Sequence, residues 1–257
     1  MEATHYDHIY LAPHLDDAAL SCGGAITQQR RAGERVLVIT LCAGSPDPAV
    51  PLSSFASELH TAWHLSPAEV VPARLREDAL AMQRLDVAYQ WTGLLDAIYR
   101  YPAAYNNRET LFGIPAEADP LFAALHELCR TLHKTYPHAT FYAPLGIGNH
   151  VDHLITHRVA HAVMGSHLVF YEDFPYVVKA EAREKRLQLL DLPLTPHRSA
   201  IDAALPTKIA AIEAYASQLG ELFGGRDGMM TTVESFARAV APAGATYGEQ
   251  HWVINGH

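Results

Sequence analysis

His8-Ile9-Tyr10-Leu11-Ala12-Pro13-His14-Leu15-Asp16-Asp17 decides the fold when it is read together with Val36-Leu37-Val38-Ile39-Thr40-Leu41. The first run is apolar and is ended by Pro13. A small-residue helical pattern, containing Gly23-Gly24, follows from 17 to about 31, and Gly33 stops it. The second run is continuous and rich in β-branched residues, as strands covered on both faces are. Strand, helix and strand in so short a span make a parallel βαβ unit, whose crossover is expected to be right-handed.

The same alternation continues outward. Residues 43–56, rich in Pro and Ser, read as a surface loop, and 67–85 as a helix. A short strand is expected at 87–89, then an irregular, aromatic-rich loop or lid over 99–120. A helix over 121–133, a strand over 139–143, a Gly-rich loop over 144–152, a helix over 153–164 and a strand over 167–172 follow. One helix is expected over 207–222, with the Gly-Gly-Arg-Asp-Gly run after it as a loop. This pattern predicts an α/β fold, a Rossmann-like three-layer αβα sandwich with a mostly parallel sheet, as a single domain over 1–257.

Composition narrows the function. The 257 residues are 49% hydrophobic and 18% charged, which excludes a disordered chain. Nineteen basic against 28 acidic side chains give a net charge of −9, an unfavourable balance for nucleic acid or an anionic membrane. Three scattered cysteines with no CxxC pair argue against a disulfide framework and a thiolate zinc site. No basic leader with an apolar run and no membrane-length apolar stretch is present, so the expectation is a cytoplasmic protein. Sixteen histidines direct attention to metal chemistry.

Two clusters carry that chemistry. His14, Asp16 and Asp17 follow the first strand and open the first helix, where ligands bind in open parallel sheets. His14 and Asp17 can turn inward across one tight turn, with Asp16 beside them to take a proton from water. The alternative is that Asp16 or Asp17 only caps the helix. Asn149-His150-Val151-Asp152-His153 holds the equivalent position after a later strand. His153 brought to His14 and Asp17 completes two imidazoles and one carboxylate, a set typical of catalytic zinc. His150 is left to donate to an oxyanion or a leaving amine, with Asp152 to fix its tautomer or otherwise support the site from behind. His157 and His161 share a helical face with His153 but read as ordinary helix residues, since no HExxH motif is present. There is no GxSxG and no GxGxxG, so serine hydrolase and dinucleotide readings lack support.

Pro13-His14-Leu15-Asp16-Asp17 and His150-Val151-Asp152-His153 resemble the paired PHPDD and HPDH motifs of the LmbE/PIG-L family, metal-dependent deacetylases of N-acetylglucosamine-containing substrates. Residues 12–24, 76–85, 171–176 and 208–219 resemble family segments as well. The resemblance implies His14, Asp17 and His153 as metal ligands, Asp16 as general base, and His150, backed by Asp152, as the oxyanion and leaving-group residue. It implies Arg76 and Asp96 as sugar contacts. It implies zinc as cofactor, with iron(II) suited by the same donors, and a small-molecule or glycan substrate carrying an N-acetyl amino sugar. Members are often oligomeric, which implies a homo-oligomer. Leu15 stands where proline is usual and Ala18 where many members have Glu; neither is a ligand or the base. Alternatives are another N-acyl amide, on an antibiotic sugar or a lipid-linked glycan, or a non-catalytic carbohydrate-binding module. The retained Asp16 argues against the module.

Overall fold

The structure, a computed structural model, describes residues 5–63 and 65–255. The ends of the expected 1–257 domain, including the first four residues read for a leader, lie outside them. The chain runs through β1 (His8–Ala12), α1 (Asp17–Arg31), β2 (Val36–Thr40), α2 (Ser54–Ala62), α3 (Val70–Leu85) and β3 (Ala88–Trp91). Two short helices, α4 (Ala97–Arg100) and α5 (Arg108–Leu111), lead to α6 (Leu121–Thr135), β4 (Thr140–Pro144), α7 (Val151–Met164) and β5 (Leu168–Tyr171). Then come α8 (Ala182–Leu189), β6 (Leu194–Ala200), α9 (Leu205–Ile212), α10 (Ala216–Phe223), α11 (Arg226–Ala239) and β7 (Gly248–Ile254).

One sheet carries the strands in the order β3-β2-β1-β4-β5-β7-β6. The first five are parallel, with Tyr10 beside Val38 on one side and Tyr142 on the other. β7 and β6 close the sheet in the antiparallel sense. The two-residue period of the strands builds two cores. Ile9, Leu11, Leu37, Ile39 and Phe141 pack with α6 and α7, while Tyr10, Ala12, Val36, Val38 and Tyr142 pack with α1 and α3. The expected three-layer α/β sandwich is therefore present. The chain leaves β1 toward β2 and β3, then returns to β4 on the other side. β1 and β4 thus flank the topological switch point, and a crevice opens at their carboxyl ends.

Gly23 and Gly24 let α1 lie against α9 and β7. Gly24 and Ala25 donate their N–H groups to Glu249 at 2.8 and 2.7 Å, and Glu249 also accepts from buried Lys208 at 2.6 Å.

Several boundaries depart from expectation. The 43–56 loop gives way at Ser54 to α2, because Ser53 caps the helix by accepting from the Ala56 N–H at 3.1 Å. The 207–222 helix is broken into α9 and α10, and Tyr215 between them donates its hydroxyl to buried Asp78 at 2.7 Å. Helix α11 starts inside the run expected to be a loop. α7 starts at Val151, before the expected 153, because His150 caps it.

A methyl group on Gly24 would sit 2.8 Å from both Glu249 Oε1 and Ile201 Cγ2, whereas one on Gly220, in α10, meets nothing within 4 Å. Gly24→Ala should therefore cost about 1–3 kcal/mol in urea denaturation. Gly220→Ala should stabilise by about 0.5–1 kcal/mol.

Candidate metal centre

The turn after β1 is built to present carboxylates. Asp16 has φ of 122°, a conformation that costs energy for a residue with a Cβ and that clusters at functional sites. Its side chain makes no cap bond to α1, and Asp17 turns back to accept the His14 N–H at 2.7 Å. Helix capping therefore does not explain either carboxylate.

His14 Nδ1, Asp17 Oδ2 and His153 Nε2 form a triangle with sides of 3.6, 3.3 and 3.3 Å. Tetrahedral zinc with bonds of ~2.0–2.2 Å spaces its ligand atoms at roughly 3.3–3.6 Å. Each imidazole is held from behind. His14 Nε2–H donates to Asp152 Oδ2 at 3.0 Å, and His153 Nδ1–H donates to Asp173 Oδ1 at 2.7 Å. Those bonds fix the tautomers and leave a lone pair on each inward nitrogen. Burial opposes charge on His14, but Asp96, Asp152 and Asp17 outweigh it and raise the imidazole to about 9. A divalent cation answers that surplus of negative charge, so the residues fit a metal.

Two other donor groups share His14: one with His150 and His153, and one with Asp96, His150 and Asp152, each within 4.8 Å. They are poorer sites. Asp152 is already bonded to Arg100 at 2.6 Å, and His150 Nδ1 accepts the Asp152 N–H at 3.2 Å.

A cavity of about 630 Å³ opens at this point, lined at its inner end by His14, Asp16, Asp17, Asp96 and His150. Burial, and then Asp17, push the Asp16 carboxyl up to about 7 against the pull of Arg74. Burial and neighbouring His14 hold His150 well below its usual value, so it is neutral. With Nδ1 accepting, its proton sits on Nε2 and serves as a donor. Asp152 points at His14 and Arg100 rather than fixing the His150 ring; it serves His150 through its backbone N–H. Asp96 lies with Oδ2 3.5 Å from His14 Nε2 and also caps α4 through Oδ1.

Arg76 does not line the cavity: it is exposed on α3. Two residues on a helix turn about 200°, so the residue facing the site is Arg74. Arg74 donates to Leu15 O at 2.8 Å and lies 3.4 Å from Asp16 Oδ2. His157 packs on Phe170, with Nδ1 donating to Pro144 O at 3.0 Å. Glu172 faces Arg183, Gln250 and Trp252, not the cavity. Asp173, by contrast, holds His153 and also accepts the Gly146 and Ile147 N–H groups at 2.8 Å. In the sequence it follows the expected 167–172 strand, inside the 171–176 segment that resembles the family. Arg100 and Asp119 had no local signal at all.

The family model for PIG-L, GlcNAc-PI de-N-acetylase, matches residues 9–164. A 2'-N-acetylparomamine deacetylase from Streptomyces fradiae is 30% identical over 82% of this chain and 72% of its own. Two solved structures superpose over nearly the full length. The antimicrobial reagent A40926 pseudoaglycone deacetylase Dbv21 has TM-score 0.76 at 29% identity, covering 98% of each chain. The zinc-inhibited form of teicoplanin deacetylase Orf2 has TM-score 0.78 at 28% identity, covering 96% of this chain and 97% of its own.

Asp173→Asn should weaken zinc affinity about 10- to 100-fold in competition with a chromogenic chelator, because it loosens the hold on His153. Glu172→Gln, one residue away and facing outward, should leave that affinity unchanged.

Proposed function

The chain belongs to the PIG-L family of de-N-acetylases, and on that premise we propose that it is a zinc-dependent N-deacetylase of an amino-sugar glycoside with an apolar aglycone. The observation that carries this reading is the backed donor triangle of His14, Asp17 and His153, opening on a cavity that Asp16 and His150 also line. In this reading the three residues hold the metal, Asp16 is the general base and His150 the oxyanion donor. The three cysteines are buried and unpaired, which fits a reducing compartment such as the cytoplasm. The last strand, β7, pairs between β5 and β6, so the whole chain is read as one deacetylase domain.

A zinc ion, when bound there, polarises the acetamide carbonyl and acidifies water. The protein's own groups do the rest. Asp16, fixed by the strained turn and steadied by Arg74, takes a proton from the water that attacks the carbonyl carbon. His150 Nε2–H donates to the oxyanion that forms, a kind of contact worth ~10²–10³ in rate. As the C–N bond breaks, the proton on Asp16 passes to the leaving nitrogen, and acetate and a free amine result. Neutral His150 has no proton to spare for that step, so Asp16 carries it both ways.

Away from the ligands the cavity wall is mixed: Leu59, Trp63, Phe112, Phe174 and Leu222 alternate with Arg108, Lys179, Gln218, Glu221 and Thr232. The apolar share of this wall offers stacking and burial to an aromatic or aliphatic aglycone. Arg74 and Asp96 remain beside the metal ligands to hold the sugar.

Acetate release from N-acetylglucosaminides should vanish when the protein is stripped of metal and return on reloading with zinc; release that ignores the chelator would contradict the proposal. Asp16→Asn should lower kcat by about 10²–10⁴ with zinc still bound. Phe112→Ala should instead raise KM for an aryl N-acetylglucosaminide while leaving free N-acetylglucosamine nearly unaffected.

A further inference from the structure

Arg100 sits at the base of the 97–121 segment with its side chain 7% exposed. Every arm of it is committed. Nε and Nη2 donate to Asp119 at 2.7 and 2.8 Å, Nη1 donates to Leu95 O at 2.6 Å, and Nη2 reaches Asp152 Oδ1 at 2.6 Å. Asp119 and Asp152 are themselves fully buried. Asp152 then uses Oδ2 to accept from His14 Nε2–H and from the Ala97 N–H at 3.1 Å. Asp119 in turn accepts from the Tyr105 hydroxyl at 2.8 Å and the Leu121 N–H at 2.9 Å, and Tyr105 accepts the Ala116 N–H at 3.0 Å. A buried chain of charge-assisted bonds therefore runs from the segment bearing Leu111 and Phe112 to His14.

We infer that Arg100, seated on Asp119, is a positioning residue that aims Asp152 at His14 and ties the 97–121 segment to the metal ligands. A buried carboxylate must be paired to keep its charge. With Oδ1 facing the Arg100 guanidinium and Oδ2 facing the Ala97 N–H, the carboxylate meets His14 as an acceptor, so His14 presents Nε2–H to it and Nδ1 to the cation. The guanidinium also deters a cation from the alternative donors Asp96, His150 and Asp152, because it already occupies Asp152. Coupling of this kind is reciprocal: what orders the ligands orders the segment, and the reverse.

The inference rests on the metal-dependent reading, and zinc binding by the unmodified protein tests that reading separately. Zinc affinity is measured by chelator competition in folded protein. Arg100→Gln should weaken it about 10- to 100-fold, with Arg100→Lys recovering part of the loss. Asp119→Asn should act in the same direction. Tyr105→Phe, which keeps every charge, should give a smaller loss and carries the test if the charge variants fail to fold. Lys208→Met, breaking a buried pair elsewhere, should lower Tm but not zinc affinity. Zinc should also slow amide exchange across 97–121 in the unmodified protein and not in Arg100→Gln. Unmodified protein that takes no zinc would sink the metal reading and this inference together. Zinc bound normally, with affinity unchanged in the folded Arg100 and Asp119 variants, or in Tyr105→Phe if only that folds, would sink the inference alone.

Discussion

His14 Nε2–H donates to Asp152 Oδ2 across 3.0 Å, joining the turn after β1 to the first turn of α7. The bond exists because β1 and β4 are neighbours in register, so the segments that follow them emerge side by side. It constrains His14 to a single tautomer and so decides which nitrogen faces Asp17 and His153. Asp173 does the same for His153 from the strand end of β5. Buried carboxylates behind both imidazoles would repel one another were no cation near, and the assembly is therefore shaped around positive charge at its centre.

The cavity divides its labour. At the inner end polar groups are fixed by bonds to backbone and to each other, with Asp16 kept in an unfavourable backbone conformation by its surroundings. Strain of order 1–3 kcal/mol at such a residue persists only where neighbouring structure over-determines it. Here Pro13, the His14–Asp17 turn and Arg74 supply that restraint. The rest of the wall mixes apolar and polar side chains and comes from separate segments, α2, the 97–121 segment, the turn after β5 and α10. In the proposed function the chemistry falls on the switch point of the sheet and contact with the rest of the substrate on the excursions around it.

What could be seen in the sequence follows the range of the interactions. β1, α1, β2 and the two His/Asp clusters are legible because their patterns are local and their apolar runs continuous. The pairing of the clusters was legible too, since both follow strands of one parallel sheet. Arg74 was mistaken for Arg76 because neighbouring arginines on one helix differ only in rotation, which the sequence segment alone did not resolve. Arg100 and Asp119 escaped attention since their partners are set by the fold and not by local pattern, and the hold of Asp173 on His153 was not readable from the 171–176 segment. β6 is an exposed edge strand containing Pro196, and β7 carries Glu249, Gln250 and His251 inward; neither has the apolar signature of a strand. The inward polar residues of β7 are accommodated by distant groups, Lys208 for Glu249 and Glu172 for Gln250, that only the fold brings near.

The central claim is that one cation sits among His14, Asp17 and His153. Anomalous diffraction at the zinc edge from crystals of the zinc-loaded protein tests it most directly. The account predicts a single strong peak with His14 Nδ1, Asp17 Oδ2 and His153 Nε2 each at about 2.0–2.2 Å. A peak placed instead among Asp96, His150 and Asp152, or no ordered zinc in this cleft, would contradict it.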